Sequence, residues 1–274
     1  MYSYLAYTEV WRSETPVGGN DMGKKISEIK VELQAATFDM LPFFMKEYEA
    51  DERAGVQALV KKARNEIEKR NAEILRLEGM KVYEKEYCVF QNICGIDEAG
   101  RGPLAGPVVA GAVILPRDAQ ILYLNDSKKL SATKREELFD EIKEKAVAVG
   151  TGIVSPQRID EINILQATYE AMRMAIKELG IKPDILLNDA VTIPEVSVKQ
   201  VPIIKGDAKS VSIAAASIIA KVTRDRIMQV YDKKYPEYGF ASNKGYGAAM
   251  HIQALREYGA TPIHRKTFIG GLLS

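Results

Sequence analysis

From Lys24 to Met80, apolar side chains recur at helical spacing among charged ones, most clearly at Val56, Leu59, Val60, Ala63, Ile67, Ala72, Ile74 and Leu75. That period predicts two or three amphipathic helices, with Glu66, Glu68, Lys69 and Arg70 as a solvated charged face. After Met80 the pattern changes to continuous apolar runs, and the stretches 88–97 and 108–115 read as buried strands. Ser131 is placed to cap a helix over 132–145, and a third strand fits 146–154. Ser155 and Pro156 form an N-cap and N1 pair for a helix that Gly180 stops. Strands over 184–189 and 198–204, a long helix over 210–231 and a last helix over 246–258 complete the series. Residues 1–21 contain Pro16-Val-Gly-Gly-Asn-Asp21 and no apolar period, which predicts a loose lead-in, with Met22 a candidate natural start.

Buried strands interleaved with amphipathic helices need both sheet faces covered, so the fold class is α/β, a mixed sheet flanked by helices with a mainly helical N-terminal extension. If the strands ending at Asp97, Asp189 and Ile204 run parallel, their C-terminal ends share one edge. That edge gathers Asp97, Glu98, Asp189 and Asp207, which are far apart in sequence.

Composition narrows the picture without redirecting it. The 274 residues are 46% hydrophobic, enough for one substantial domain with an appendage or for two small ones. Lys and Arg number 38 against 37 Asp and Glu, so binding to nucleic acid must come from local clustering and not from bulk charge. Cys88 and Cys94 are the only cysteines and lack metal-ligand spacing, which argues against a disulfide framework or structural zinc and suits a reducing, cytoplasmic setting. The chain opens without a secretory pattern, and no run approaches roughly 18 consecutive apolar residues, so no membrane partner is expected.

Chemistry concentrates where acids end apolar strands. Asp97 and Glu98 precede a Gly/Pro loop, Gly100-Arg101-Gly102-Pro-Leu-Ala-Gly106-Pro107, while Asp189 and Asp207 each follow a strand. Singly each acid reads as a turn or cap; together they read as a ligand set. Clustered carboxylates repel unless a cation replaces the repulsion with coordination, and oxygen-only ligands favour Mg2+ or Mn2+. Two such ions about 4 Å apart serve phosphodiester hydrolysis without a serine or cysteine nucleophile. The glycine spacing of the loop fits neither the dinucleotide nor the Walker pattern. Lys128, Lys129, Lys205, Lys209, Lys221, Arg224, Lys244 and His264-Arg265-Lys266 suit a phosphate track, although each alone is also an ordinary surface charge. Ser212–Ala220 reads as a tightly packed helix instead of a reactive serine site, His251 as structural, and His264 as a candidate phosphate contact.

Gly95-Ile-Asp-Glu-Ala-Gly-Arg-Gly-Pro-Leu-Ala-Gly-Pro-Val resembles the signature of ribonuclease HII, and the likeness continues through Asp126-Ser-Lys-Lys-Leu-Ser, Asn188-Asp-Ala, Lys205-Gly-Asp, Ser212–Lys221, Lys244-Gly-Tyr-Gly and His264-Arg-Lys-Thr-Phe. It spans roughly residues 90 to 270. The resemblance implies a ribonuclease H-like fold over 85–274 with residues 1–84 as lead-in and extension. It also implies a metal-dependent endonuclease acting on RNA–DNA hybrids and cutting 5′ to ribonucleotides embedded in duplex DNA, leaving 3′-hydroxyl and 5′-phosphate ends. By motif position Asp97, Glu98, Asp189 and Asp207 are the catalytic and metal-binding acids. Gly100, Arg101 and Gly102 then read the ribose 2′-hydroxyl and adjacent backbone, supported by Tyr246, in an enzyme expected to be monomeric. The related type HIII loop is closer to Asp-Glu-Ser-Gly-Lys-Gly, so the form here favours type HII. Thr267 stands where the family pattern has Ser. Competing readings are a binding module of the same fold without turnover, and a nucleotide-dependent ATPase, which would need a Walker lysine.

Overall fold

The computed structural model describes residues 23–272; the expected lead-in over 1–21 and the candidate start at Met22 lie outside them. The chain divides into two compact units at Asn71/Ala72.

In the first unit, α1 (Ile26–Ala35), α2 (Leu41–Tyr48) and the leading turns of α3 (Ala54–Met80) enclose Ile29, Leu33, Leu41, Phe44, Val56, Val60 and Ala63. The helical period predicted there is present, and Arg70 lies over the Phe38 ring, its guanidinium carbon 4.1 Å from the centroid. The predicted apolar stripe does not extend past the division: Leu75 is 73% exposed and Ala72 is exposed, whereas Leu77 and Met80 are buried.

In the second unit, the end of α3 is followed by α4 (Val82–Glu86), then by β1 (Ile93–Ala99), β2 (Val108–Ile114), α5 (Ala132–Lys145), β3 (Ala148–Val154), α6 (Pro156–Glu178), β4 (Ile185–Asp189) and β5 (Lys199–Ile203). The chain closes with α7 (Val211–Lys234), α8 (Phe240–Asn243), α9 (Ala249–Tyr258) and α10 (Lys266–Ile269). The strands form one mixed sheet in the order β3-β2-β1-β4-β5. β1 is antiparallel to β2 but parallel to β4, and β4 is parallel to β5, so β1, β4 and β5 do end along one edge.

Helix α6 covers one face over Cys94, Ile96, Ala112, Ala171 and Ala175, and α7 covers the other. Every residue from Val211 to Ala220 is buried, as a helix of Ala, Ser and β-branched residues allows when it lies directly on a sheet. Its approach is close enough that a Cβ at Gly95 would run into the Ser212 backbone. Ser131, Ser155 and Ser210 cap α5, α6 and α7 by accepting the N3 amides of Lys134, Arg158 and Ile213.

Several boundaries differ from those the sequence predicts: β1 runs on to Ala99 and α7 to Lys234, and three further differences stand out. β1 starts at Ile93, because the preceding residues turn: the Asp184 carboxylate accepts the amides of Gln91 and Asn92. Helix α6 is broken at Asn163 (φ 66°), whose side chain recaps the helix on the amides of Leu165 and Gln166. Finally, α9 starts at Ala249, leaving Tyr246 in a loop. Among the described residues no helix is long and apolar enough to cross a membrane.

Candidate active site

The C-terminal edge of β1 and β4 carries the acids. Asp97 is only 6% exposed, directly opposite Gly111 of β2, and its Oδ1 accepts the Glu98 amide at 2.8 Å. The Ser217 hydroxyl of α7 bonds the Asp97 carboxylate, and Ser217 Oγ is in turn 2.9 Å from Ser127 Oγ. Asp189 Oδ1 accepts the Gly206 amide at 2.7 Å, which ties the end of β4 to the turn that presents Asp207.

Their charges register one another. Burial first, then the charges of Glu98 and Asp189, push the Asp97 carboxyl well above the usual carboxylate range. Glu98 is raised by burial above all, with Arg101, 3.4 Å away, opposing and Asp189 adding. Asp207 is raised by burial and then by the charges of Asp126 and Asp189, with Lys128 opposing. The structure therefore brings Asp97, Glu98, Asp189 and Asp207 into one interacting set. It adds Asp126, whose charge raises Asp207 and which the sequence shows only as part of a motif away from the acids.

Among the described residues, no three His, Cys, Asp or Glu side chains are gathered as a closed ligand group; the acids face one another in overlapping pairs. The donor chemistry nevertheless fits a hard divalent cation. All donors are carboxylate oxygens, three of the carboxyls are raised by the mutual repulsion and burial that a cation would offset, and Arg101 and Lys128 are the cations that oppose it.

Beside the acids runs the loop from Gly100 to Pro107. Gly100 has φ +97°, a conformation that side-chain-bearing residues rarely adopt, and a Cβ there would strike Arg224. Tyr246 stands against the loop: a Cβ at Gly102 would lie 3.7 Å from its ring carbon Cε1. Tyr246 is 47% exposed, so aromatic surface is available beside the loop.

Behind Tyr246 is a buried polar chain that fixes the tautomers of both histidines. The Thr261 amide donates to His264 Nδ1 at 2.9 Å, His264 Nε2 lies 2.9 Å from His251 Nε2, and His251 Nδ1 lies 2.8 Å from the Tyr246 carbonyl. Since a carbonyl only accepts, His251 donates from Nδ1 and accepts at Nε2, where neutral His264 donates. Burial, followed by the charge of His251, depresses His264 to about 4. A histidine with a folded pKa below its unfolded value contributes stability that is complete above about 6.5 and is lost as pH falls toward 4. The loss is on the order of 3 kcal/mol. Denaturant unfolding from pH 7 to 4 should therefore fall more steeply for the wild type than for His264→Gln; parallel profiles would remove the pair from this role.

The basic residues separate into three groups. Lys128, Lys129, Lys205, Lys209 and Lys266 are exposed. Lys221 is paired with Asp225 at 2.6 Å, and Lys244 donates to the Ala241 carbonyl. Arg224, His264 and Arg265 are buried, which corrects their assignment to a phosphate track: their partners are inside the protein. Thr267 donates its hydroxyl to Asp160 at 2.6 Å, a bond that Ser can also make.

Two family models match: ribonuclease HII over residues 94–270 and the ribonuclease HII N-terminal domain over residues 25–88. A ribonuclease HII of Lachnoclostridium phytofermentans is 61% identical over 253 residues, 92% of this chain and 100% of that protein. A ribonuclease HII of Clostridioides difficile is 51% identical over 252 residues, 91% of this chain and 99% of that protein. The crystal structure of ribonuclease H2 from Pyrococcus horikoshii is similar at 31% identity and a TM-score of 0.55, covering 66% of this chain and 97% of that one.

Proposed function

The chain belongs to the ribonuclease HII family, and on that premise we propose that it hydrolyses the RNA strand of RNA–DNA hybrids and cuts 5′ to ribonucleotides embedded in duplex DNA. The observation that carries this reading is the joining of Asp97, Glu98, Asp189 and Asp207 at one sheet edge beside a loop against which an exposed tyrosine stands.

Asp97, Glu98, Asp189 and Asp207 would hold the metal, Mg2+ or Mn2+, with the charge of Asp126 acting on Asp207. When bound, the ions supply an activated water and neutralise charge on the phosphate and the departing oxygen. The protein's own share is positional. Ser217 and the Glu98 amide hold the Asp97 carboxylate, and the Gly206 amide holds Asp189, so the acids are aimed before substrate arrives. Arg101 and Lys128 offset part of the acid charge and meet an incoming phosphodiester. Gly100, Arg101 and Gly102 bring backbone close to the ribose, and the Tyr246 ring covers the nucleotide. Hydrolysis leaves 3′-hydroxyl and 5′-phosphate ends.

The nuclease is assigned to residues 85–274, with 1–84 an accessory extension. The compact units divide earlier because Leu77 and Met80 of α3 are buried in the core of the second one. A cytoplasmic setting accords with two unpaired cysteines, one of them exposed, and the enzyme is taken to act as a monomer. The test is a labelled duplex containing one ribonucleotide, incubated with Mg2+ or Mn2+ and then with chelator. Cleavage at the 5′ side of the ribonucleotide that stops on chelation is expected; binding without any metal-dependent cut would make the chain a binding module.

Exposed Lys128, Lys129, Lys205 and Lys209 reduce the track to a few phosphate contacts. Affinity for the duplex, measured with Asp97→Asn protein in Ca2+, should then fall with salt at a log–log slope of roughly −2 to −4. A slope near zero would exclude those lysines from phosphate binding.

A further inference from the structure

Arg265 is 0% exposed and Arg224 1% exposed, yet their hydrogen-bond partners are carbonyl oxygens and not carboxylates. Arg265 donates from Nη2 to Gly100 O at 2.6 Å and Gly106 O at 2.9 Å, from Nη1 to Arg101 O at 2.9 Å, and from Nε to Gly106 O at 3.0 Å. Arg224 donates to Pro107 O at 2.9 Å, Ala105 O at 3.1 Å and Lys244 O at 2.9 Å. Together they hold carbonyls along the loop from Gly100 to Pro107 and, through Lys244, the segment that carries Tyr246. Two neighbouring buried cations are costly: burial, then the charge of Arg224, draws Arg265 down to about 9. An apolar filling of the same space would serve packing better, so the arrangement is best explained by what it imposes on the loop.

A trans peptide points its C=O and N–H in opposite directions. With the carbonyls of Gly100 and Arg101 drawn inward onto the buried Arg265, the amides of Arg101 and Gly102, in the same two peptide planes, are turned away from it. Neither amide donates to a protein group among the described residues. Arg101 reaches the acid edge through its contact with Glu98, and Gly102 stands beside Tyr246.

We propose that Arg265, with Arg224 behind it, is a positioning residue that locks the carbonyls of the Gly100–Pro107 loop inward and thereby holds two successive amides outward to read the ribose at the cleavage position. This rests on the function proposed above. Lysine keeps the charge but loses the planar fork that bonds three carbonyls, and methionine loses both.

The experiment measures binding of a duplex with one ribonucleotide and of the same all-DNA duplex, in Ca2+, by Asp97→Asn protein with and without Arg265→Lys or Arg265→Met, with unfolding curves to fix a temperature at which each is folded. Asp97→Asn alone should prefer the ribonucleotide duplex. Arg265→Met should reduce that preference at least tenfold while all-DNA affinity changes less than threefold; Arg265→Lys should reduce it at least threefold, and carries the test alone if the methionine variant does not fold. Folded Arg265 variants that keep the full preference overturn the proposal. If Asp97→Asn protein shows no preference to begin with, the proposed function fails instead.

Discussion

Asp97→Asn should lower cleavage on the order of a thousandfold or more, because it removes a charged ligand from the centre of the acid set while leaving volume and shape unchanged. It should not cost folding. In the metal-free protein the Asp97 carboxyl is raised by burial and by its acidic neighbours, so ionising it opposes the native state. The sign follows from linkage: an acid whose folded pKa lies above its unfolded value favours folding most at pH below the unfolded pKa, and that contribution is lost as pH rises through the folded pKa. At neutral pH without metal, asparagine is therefore at least as stable as aspartate here. Divalent cation reverses the comparison, since an ion bound only by the native state stabilises it by RT ln(1 + [L]/Kd), about 2.7 kcal/mol at a hundred times Kd. Thermal unfolding with and without Mn2+ should accordingly show a cation-induced rise in Tm for the wild type that is much smaller for Asp97→Asn and is reversed by chelator. A folded Asp97→Asn enzyme that cleaves at a near-native rate, or that gains as much from Mn2+ as the wild type, removes Asp97 from the metal site.

The strands that deliver these acids were legible because a buried strand has a local signature, an apolar run punctuated by glycine, proline or an acid. β2 and the capped start of α5 emerge from the chain as read. Asp97, Glu98, Asp189 and Asp207 were legible for the same reason, each standing just beyond such a run. Asp126 was not, because it follows no strand: it reaches Asp207 from an irregular segment whose path depends on tertiary packing. Arg224 and Arg265 were misplaced on the surface for a related reason. Sequence gives the charge of an arginine but not its depth, and a cation satisfied by carbonyls leaves no paired acid in the sequence to reveal it. The break at Asn163 also escapes a periodicity argument, since the apolar positions of α6 continue across it.

Tyr246 was read as opening the last helix; the structure leaves it in the loop before α9, half exposed and against Gly102. That placement separates its two readings, core packing and nucleotide contact, by their expected cost. A core tyrosine replaced by alanine would cost several kcal/mol of stability, whereas a tyrosine 47% exposed forfeits a much smaller burial. Stacking on a nucleotide contributes about 1 to 3 kcal/mol, so Tyr246→Ala should lower kcat/KM for a single-ribonucleotide duplex by roughly 5- to 150-fold. Tyr246→Phe keeps the ring and loses one hydrogen bond to the ribose, about 1 kcal/mol, or roughly fivefold. The backbone of Tyr246 is held independently of its ring, by His251 at its carbonyl and by Asn243 O at its amide, so both variants should leave the loop in place. The measurement is cleavage by wild type, Tyr246→Phe and Tyr246→Ala alongside their unfolding temperatures. The order wild type, Phe, Ala in rate, with Tm lowered by only a few degrees, supports a stacking and hydroxyl-sensing role; alanine protein that cleaves like the wild type, or whose defect follows its loss of folding, makes Tyr246 a packing residue.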